Sequence, residues 1–348
     1  MSSVTASPEA STGATERPAR APSRGRPLVR FVLRRVGAGI ATLLVASILI
    51  FLATNALPGN VAEVVLGKTA TPAAVKELRG QLHLDRPLLT RYGSWLGGAV
   101  RGDLGQSAVE LAQGAPKAPV SHLIGTPLRN SFVLAVGTMI LLIPLSLLLG
   151  TAAAVRAGKA TDYTVSYVAL VLGALPEFVL GTFLILILFS ELRLLSPVAL
   201  VPPGTSPLAH LDNLVLPVVT LLGVSLAFSA RQVRAGVMQA LRQDYVMMAR
   251  LGGIREARVL WRYALRNALA PTIQTFALSI QYLFGGIIVV EALFAYPGIG
   301  QLLVQSVSTR DVTAVQGVTL VLATIYIAIN IVADLVVVLL VPKLRTGL

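Results

Sequence analysis

Few residues in this chain have the type and spacing that chemistry needs. Gly67-Lys68-Thr69 reads like the end of a phosphate-binding loop, whose backbone and lysine cradle nucleotide phosphates. That loop needs a further glycine five positions before Gly67, and Ala62 stands there. No other Gly-Lys-Ser or Gly-Lys-Thr occurs, so any ATP-driven work requires another chain. His83, His122 and His210 are far apart and form neither HxxxH nor HExxH, so metal-ligand spacing is missing. The absence of cysteine removes disulfides, thiolate chemistry and cysteine metal sites. No GxSxG is present, and Ser121 and His122 are merely consecutive, so nucleophilic catalysis has no support. The reading is a non-catalytic chain with no catalytic residue, no metal and no cofactor of its own.

What remains is a set of acids inside apolar runs. Glu177, Glu291 and Asp334 are embedded in such runs or border them. A charge at the bilayer centre costs about 2.5 kcal/mol or more on insertion scales, so each should face a cavity or a partner. Glu291, just before a loop, could instead reach water.

The elements that must position these groups are membrane helices. Of the 348 residues 55% are hydrophobic and only 13% charged, and the mean hydropathy is +0.76. A soluble domain needs more polar cover than this. Several runs of about 20 residues are nearly free of charge, long enough for a bilayer core. The fold class expected is all-α: a polytopic membrane protein with six transmembrane helices. Residues 1–27 read as a disordered tail rich in Ser, Thr, Ala, Pro and Arg, and 28–57 hold span 1. Residues 58–129 read as a helical segment on one membrane face, with a helix starting after Thr71 and Pro72 at its first position. Residues 130–348 form the core. Span 2 runs from about Ser131 to Val155, and span 3 from about Tyr163 to Phe189 with Pro176 inside. Span 4 covers about Leu214 to Ala230, span 5 Ala268 to Val290, and span 6 Val315 to Leu340.

Six spans place both termini on one side. With the termini inside, the cytoplasmic segments hold 19 of the 29 lysines and arginines, and the short loops 192–212 and 293–313 hold one each. This asymmetry sets the orientation expected: a multi-pass protein of the cell membrane, both termini cytoplasmic. The net charge of +13 then faces the anionic inner leaflet of the lipid bilayer, and nucleic acid is not needed to explain it.

The longest polar interval in the second half is 244–271, DYVMMARLGGIREARVLWRYALRNALAP. Tyr245, Met248, Ala249 and Gly252 recur on one face of a short helix, and Gly252-Gly253 predict a bend. Beyond it Arg255, Arg258, Arg262 and Arg266 share one helical face, with Ala257, Leu260, Trp261, Ala264 and Ala268 opposite. The arginines could simply hold a loop at the lipid headgroups, or the helix pair could be a docking element within the cytoplasmic segment 231–267.

Here a family resemblance appears. DYVxxARxxG followed by ALRNALxP resembles the cytoplasmic EAA loop of ABC importer permeases, dipeptide and oligopeptide branch, matching at Asp244, Tyr245, Ala249, Arg250, Gly253, Arg266, Asn267 and Pro271. LPGN at 57–60, LHLDRP at 82–87 and GDLGQS at 102–107 are similar to phrases of the same family. So are VVEALFAYPGIGQLL, matching at Glu291, Phe294, Pro297, Gly298 and Gly300, and NIVADL, matching at Asn330 and Asp334. The chain departs from the pattern at Asn60, at Leu251-Gly252 in place of Ala-Lys, at Glu177 after Pro176, and at Val341-Pro342-Lys343 near the end.

The resemblance implies a type I ABC importer permease for di-/oligopeptides or a related solute. The 244–254 helix would insert into a cleft on a separate ATPase subunit. The partners implied are a second homologous permease, two ABC ATPase subunits carrying ATP and Mg, and an extracytoplasmic solute-binding protein. Glu177, Glu291, Pro297, Gly298, Gly300 and Asp334 become candidates for the pathway or its gate. Because Glu177 departs from the family's usual small polar residue after the proline, it is read as tuning the pathway for a cationic or amine-bearing substrate. An ion-coupled secondary transporter, using its intramembrane acids for protons, is the alternative.

Overall fold

The computed structural model describes residues 26–56, 61–67, 70–202 and 204–340, and every structural statement below concerns these. The phrase at 57–60, Lys68-Thr69, the closing Val341-Pro342-Lys343 and almost all of the tail fall outside them. In order the chain forms α1 (Arg26–Asn55), α2 (Val61–Leu66), α3 (Pro72–Gln81), α4 (Leu88–Val100), α5 (Ala108–Ala112), α6 (Val120–Val155), α7 (Ala160–Ala174) and α8 (Glu177–Ile185). Then follow α9 (Leu211–Leu241), α10 (Asp244–Leu251), α11 (Glu256–Arg258), α12 (Arg266–Leu293), α13 (Ile299–Ser308) and α14 (Val312–Leu340). Residues Leu186–Glu191 and Val259–Leu265 are π-helical.

Helices α1, α6, α9, α12 and α14 are each long and apolar enough to cross a bilayer alone. The third span, expected with Pro176 inside it, is two helices that meet at this proline, α7 and α8, bent by 104°. Proline disfavours the α region for the residue before it, and Leu175 accordingly takes ψ 131. The pair still crosses as one broken span. Asp162 in the first turn of α7 pairs with Arg234 near the end of α9, whereas Gly181 of α8 abuts Leu293 and Phe294 at the end of α12. Because α9 runs into the α10–α11 elbow and α12 runs out of it, the C-terminal ends of α9 and α12 lie at opposite faces of the bundle. Six crossings result, and α6 begins at Val120, ten residues before the 130 boundary read from the sequence.

The core lies between α6, α8, α9 and α12, with Leu134, Leu142, Leu216, Leu221, Leu283 and Ile287 fully buried. In a bilayer such helices gain little from hiding apolar surface, so close backbone approach carries the packing. A Cβ at Gly150 of α6 would stand 2.7 Å from the Ala230 carbonyl oxygen of α9. Helix α1 lies at the rim of the bundle, against α14. Gln316 donates to Thr54 at 2.7 Å, and Arg35 pairs with Asp334. Phe51 also meets Tyr92 and Trp95 of α4.

Helices α2–α5 form a lid on the end of the bundle opposite α10. Thr71 caps α3 as the sequence predicts, accepting from the Ala74 N–H at 3.3 Å. One buried carboxylate, Asp311, pins the lid down. It accepts from Ala314 N–H at 3.1 Å, capping α14, and from Ala108 N–H at 3.2 Å and the Ser107 hydroxyl at the start of α5. Replacing Asp311 by Ala leaves these buried donors unmet, at a cost of about 3 kcal/mol. The expected result is faster amide hydrogen exchange in 107–118 with no change in α9. Unaltered exchange there would show that the lid is held elsewhere.

Candidate functional site

The elbow after α9 is built from local rules. Helix α10 ends in a Schellman turn. Ile254 N–H donates to Ala249 O at 3.1 Å and Gly253 N–H to Arg250 O at 3.0 Å. Gly253 takes φ +73, the left-handed region open to glycine, while Gly252 at φ −73 needs no such freedom. Arg250 closes the corner with two bonds to Glu256, at 2.9 and 3.2 Å.

Helix α10 buries Val246 and Ala249 against Leu241, Ile254, Val259 and Tyr263. Tyr245 and Met248, expected beside Ala249 on one face, point outward with Met247 and Leu251; Met248 is 70% exposed and Leu251 75%. The helix therefore has two apolar faces, one used by the chain and one left open. Periodicity could not separate them because apolar residues fall at helical spacing on both.

The second half of the elbow also departs from its expected pattern. Arg255, Arg258, Arg262 and Arg266 are all exposed as one basic set. Opposite them the buried residues are Val259, Ala264 and Ala268, while Ala257 and Trp261 are exposed. The π-helical turn is the cause: its wider winding brings residues five apart, Val259 and Ala264, onto one face and rotates Trp261 out. Asn267 donates to the Tyr263 carbonyl at 2.8 Å inside this turn. Pro271 lies in the first turns of α12, and Asp244 is the exposed first residue of α10.

The acids predicted within the spans have three different surroundings. Glu291 is fully buried at the end of α12. It accepts from the Gly300 N–H at 2.7 Å and from the Ser131 hydroxyl, so it caps α13 from a distance. Ser131 in turn accepts from Ile299 N–H at 2.8 Å. The Asn130 amide donates to Pro297 O, and the Tyr296 phenol donates to Asn130 O, both at 2.9 Å. Glu291, Pro297, Gly298 and Gly300 thus come together as one joint between α12, α13 and α6. Asp334 lies apart from them, paired with Arg35 on α1. Glu177 opens α8 beside Tyr282 and Gly286 of α12.

Sequence reasoning missed a further pair. Asp162 binds Arg234 through two contacts at 2.5 and 2.8 Å and accepts from Gly158 N–H at 2.9 Å. It reads as part of a basic turn, and its partner lies 72 residues away. Only a carboxylate at the mouth of an apolar run hinted at it.

Comparison with known proteins agrees with this architecture. The family model described as the binding-protein-dependent transport system inner membrane component matches residues 146–346. The model for the N-terminal part of such membrane components matches residues 28–121. A putative peptide transport system permease protein of Brucella abortus is 33% identical over 91% of this chain and 99% of its own length. A probable peptide ABC transporter permease of Sinorhizobium fredii is 32% identical over 90% of this chain and 99% of its own. The metal-staphylopine import system permease of Staphylococcus aureus is 30% identical over 92% and 99%. Matched along nearly its whole length by proteins of one kind, the chain belongs to the binding-protein-dependent transport system inner membrane component family and is a membrane permease subunit of an ABC importer.

Proposed function

We propose that the chain forms half of the pathway for di- or oligopeptides or a related solute, beside a second permease. Two ATPase subunits carry ATP and Mg, and a solute-binding protein delivers the solute to the lid end. The α10 end faces the cytoplasm. The observation that carries this reading is the open face of α10, with Met247, Met248 and Leu251 exposed on a helix fixed at both ends. An apolar patch beyond the bilayer needs a protein to cover it. The exposed arginines of α11 and the π-helical turn lie alongside, suited to headgroups or to an acidic rim on the ATPase. Two of the relatives above are named for peptides, which supports that solute class.

The mechanism follows from connectivity. Helix α10 joins α9 to the π-helical turn that begins α12, and Asp162–Arg234 ties α9 to α7. When the ATPases close on ATP, α10 is carried with them, and α7, α9 and α12 are displaced as neighbours. Binding energy in one chain biases a two-state arrangement in another. Glu291 with Gly298 and Gly300 holds the frame of the gate at the lid end, and Asp334 holds α1 to the bundle.

The test is uptake into vesicles containing the purified assembly. Peptide accumulation that requires enclosed ATP and external binding protein is expected. Accumulation by this chain alone, driven by a proton gradient, would favour a secondary transporter and refute the reading.

A further inference from the structure

Nearly every carboxylate held deep in the bundle is answered. Asp162 has Arg234, Asp334 has Arg35, and Glu291 and Asp311 have helix N-termini and serine hydroxyls. Glu177 differs. Among the described residues no lysine, arginine or histidine forms an ion pair with it. Arg231, at the bend, lies against Gly173 and donates to its own helix at Ala227 O. Tyr282 of α12 lies beside Glu177.

The carboxylate is nevertheless held in place. A Cβ at Gly286 would stand 3.2 Å from Glu177 Oε1, so the missing side chain there makes the room it occupies. The surroundings are open: Ala174, Pro176, Phe178, Leu278 and Gly285 are exposed, and Tyr282 is 49% exposed. A carboxylate answered only by the first turn of α8, with no ion pair, is costly to leave against lipid. It belongs on a water-filled surface, where it attracts cations.

Resting on the pathway assignment above, we infer that Glu177, seated in the space left at Gly286 beside Tyr282, is a solute-contacting group that favours solutes bearing an ammonium or guanidinium group. A peptide with a free N-terminus or with lysine and arginine side chains fits this chemistry. The break in span 3 places the group at the first residue of α8.

The chain has no cysteine, so one introduced thiol reports on this surface in the intact importer assembly. Leu278→Cys, one turn from Tyr282, is labelled with cationic and anionic methanethiosulfonates. Changing Glu177→Gln in that background is expected to lower the cation-to-anion rate ratio roughly ten-fold, the effect of removing one nearby charge. An unchanged ratio, or no labelling by either reagent, overturns the inference whatever the solute is. In vesicles, Glu177→Gln should raise KM for trilysine several-fold and leave trialanine unchanged, with the assembly still co-purifying. Equal loss for both peptides, or for neither, also overturns it. Wild-type vesicles that take up neither peptide refute the peptide reading alone, and the labelling ratio then decides Glu177.

Discussion

Gly253→Pro abolishes uptake while the protein still reaches the membrane with its partners' genes expressed. Gly253 takes φ +73, and proline is confined near −65°, so the turn cannot form with it. The substitution also deletes the N–H that bonds Arg250 O at 3.0 Å. Together these cost about 3 kcal/mol or more at the corner of a helix of eight residues. The spans, which fold on their own contacts, are spared. Gly252→Ala is the control. Gly252 has φ −73, and a Cβ there would lie 3.4 Å from Met248 O, an ordinary contact. It should leave uptake intact and steady α10, which agrees with the family's use of lysine at that position. Asp244→Arg tests the same element by charge: it puts a cation at the positive end of α10, where an acid now stands. Membrane insertion measured by fractionation, beside ATP-dependent uptake, separates the effects. Normal transport in both Gly253→Pro and Asp244→Arg would remove the docking role of the elbow.

Glu291→Ala is expected to lower the thermal stability of the purified permease sharply, by about 3–5 kcal/mol. The side chain satisfies the Gly300 N–H and the Ser131 hydroxyl in a fully buried site, and alanine leaves those donors and a cavity. Gly300→Ala should be comparably severe, because its Cβ would stand 2.5 Å from the backbone Cα of Ile288, which cannot give way. Gly298→Ala would drive a methyl into the Glu291 carboxylate itself. The readouts are melting in detergent and protease cleavage between α12 and α13. Loss of stability with cleavage supports a joint that frames the gate. Loss of uptake with melting and cleavage unchanged would instead place Glu291 in the solute's path.

The elbow shows how far pattern reading extends. The bend at Gly252-Gly253 and the basic set of four arginines were legible because glycine and charge spacing act within a few residues. The identity of the inward face was not. Val246 is buried because Val259 and Tyr263 return over it, and Trp261 is exposed because a π-helical turn shifts the register by one position. The acids divide in the same way. Glu177, Glu291 and Asp334 stand out in sequence by the cost of a charge among apolar residues. Their different surroundings depend on partners between 9 and 299 residues away.

The membrane class, the approximate spans, the charge asymmetry and the elbow's location were all legible in the amino-acid order alone. These follow from composition, period and local backbone rules, which need no knowledge of neighbours. Packing settled that span 3 is broken, that Asp311 fastens the lid and Asp162 answers Arg234, and that Glu291 caps a helix while Glu177 lies on an open face. Each of those outcomes depends on which helix packs beside which. A carboxylate's role is set by the donors that packing brings to it, and no single stretch of chain contains that information.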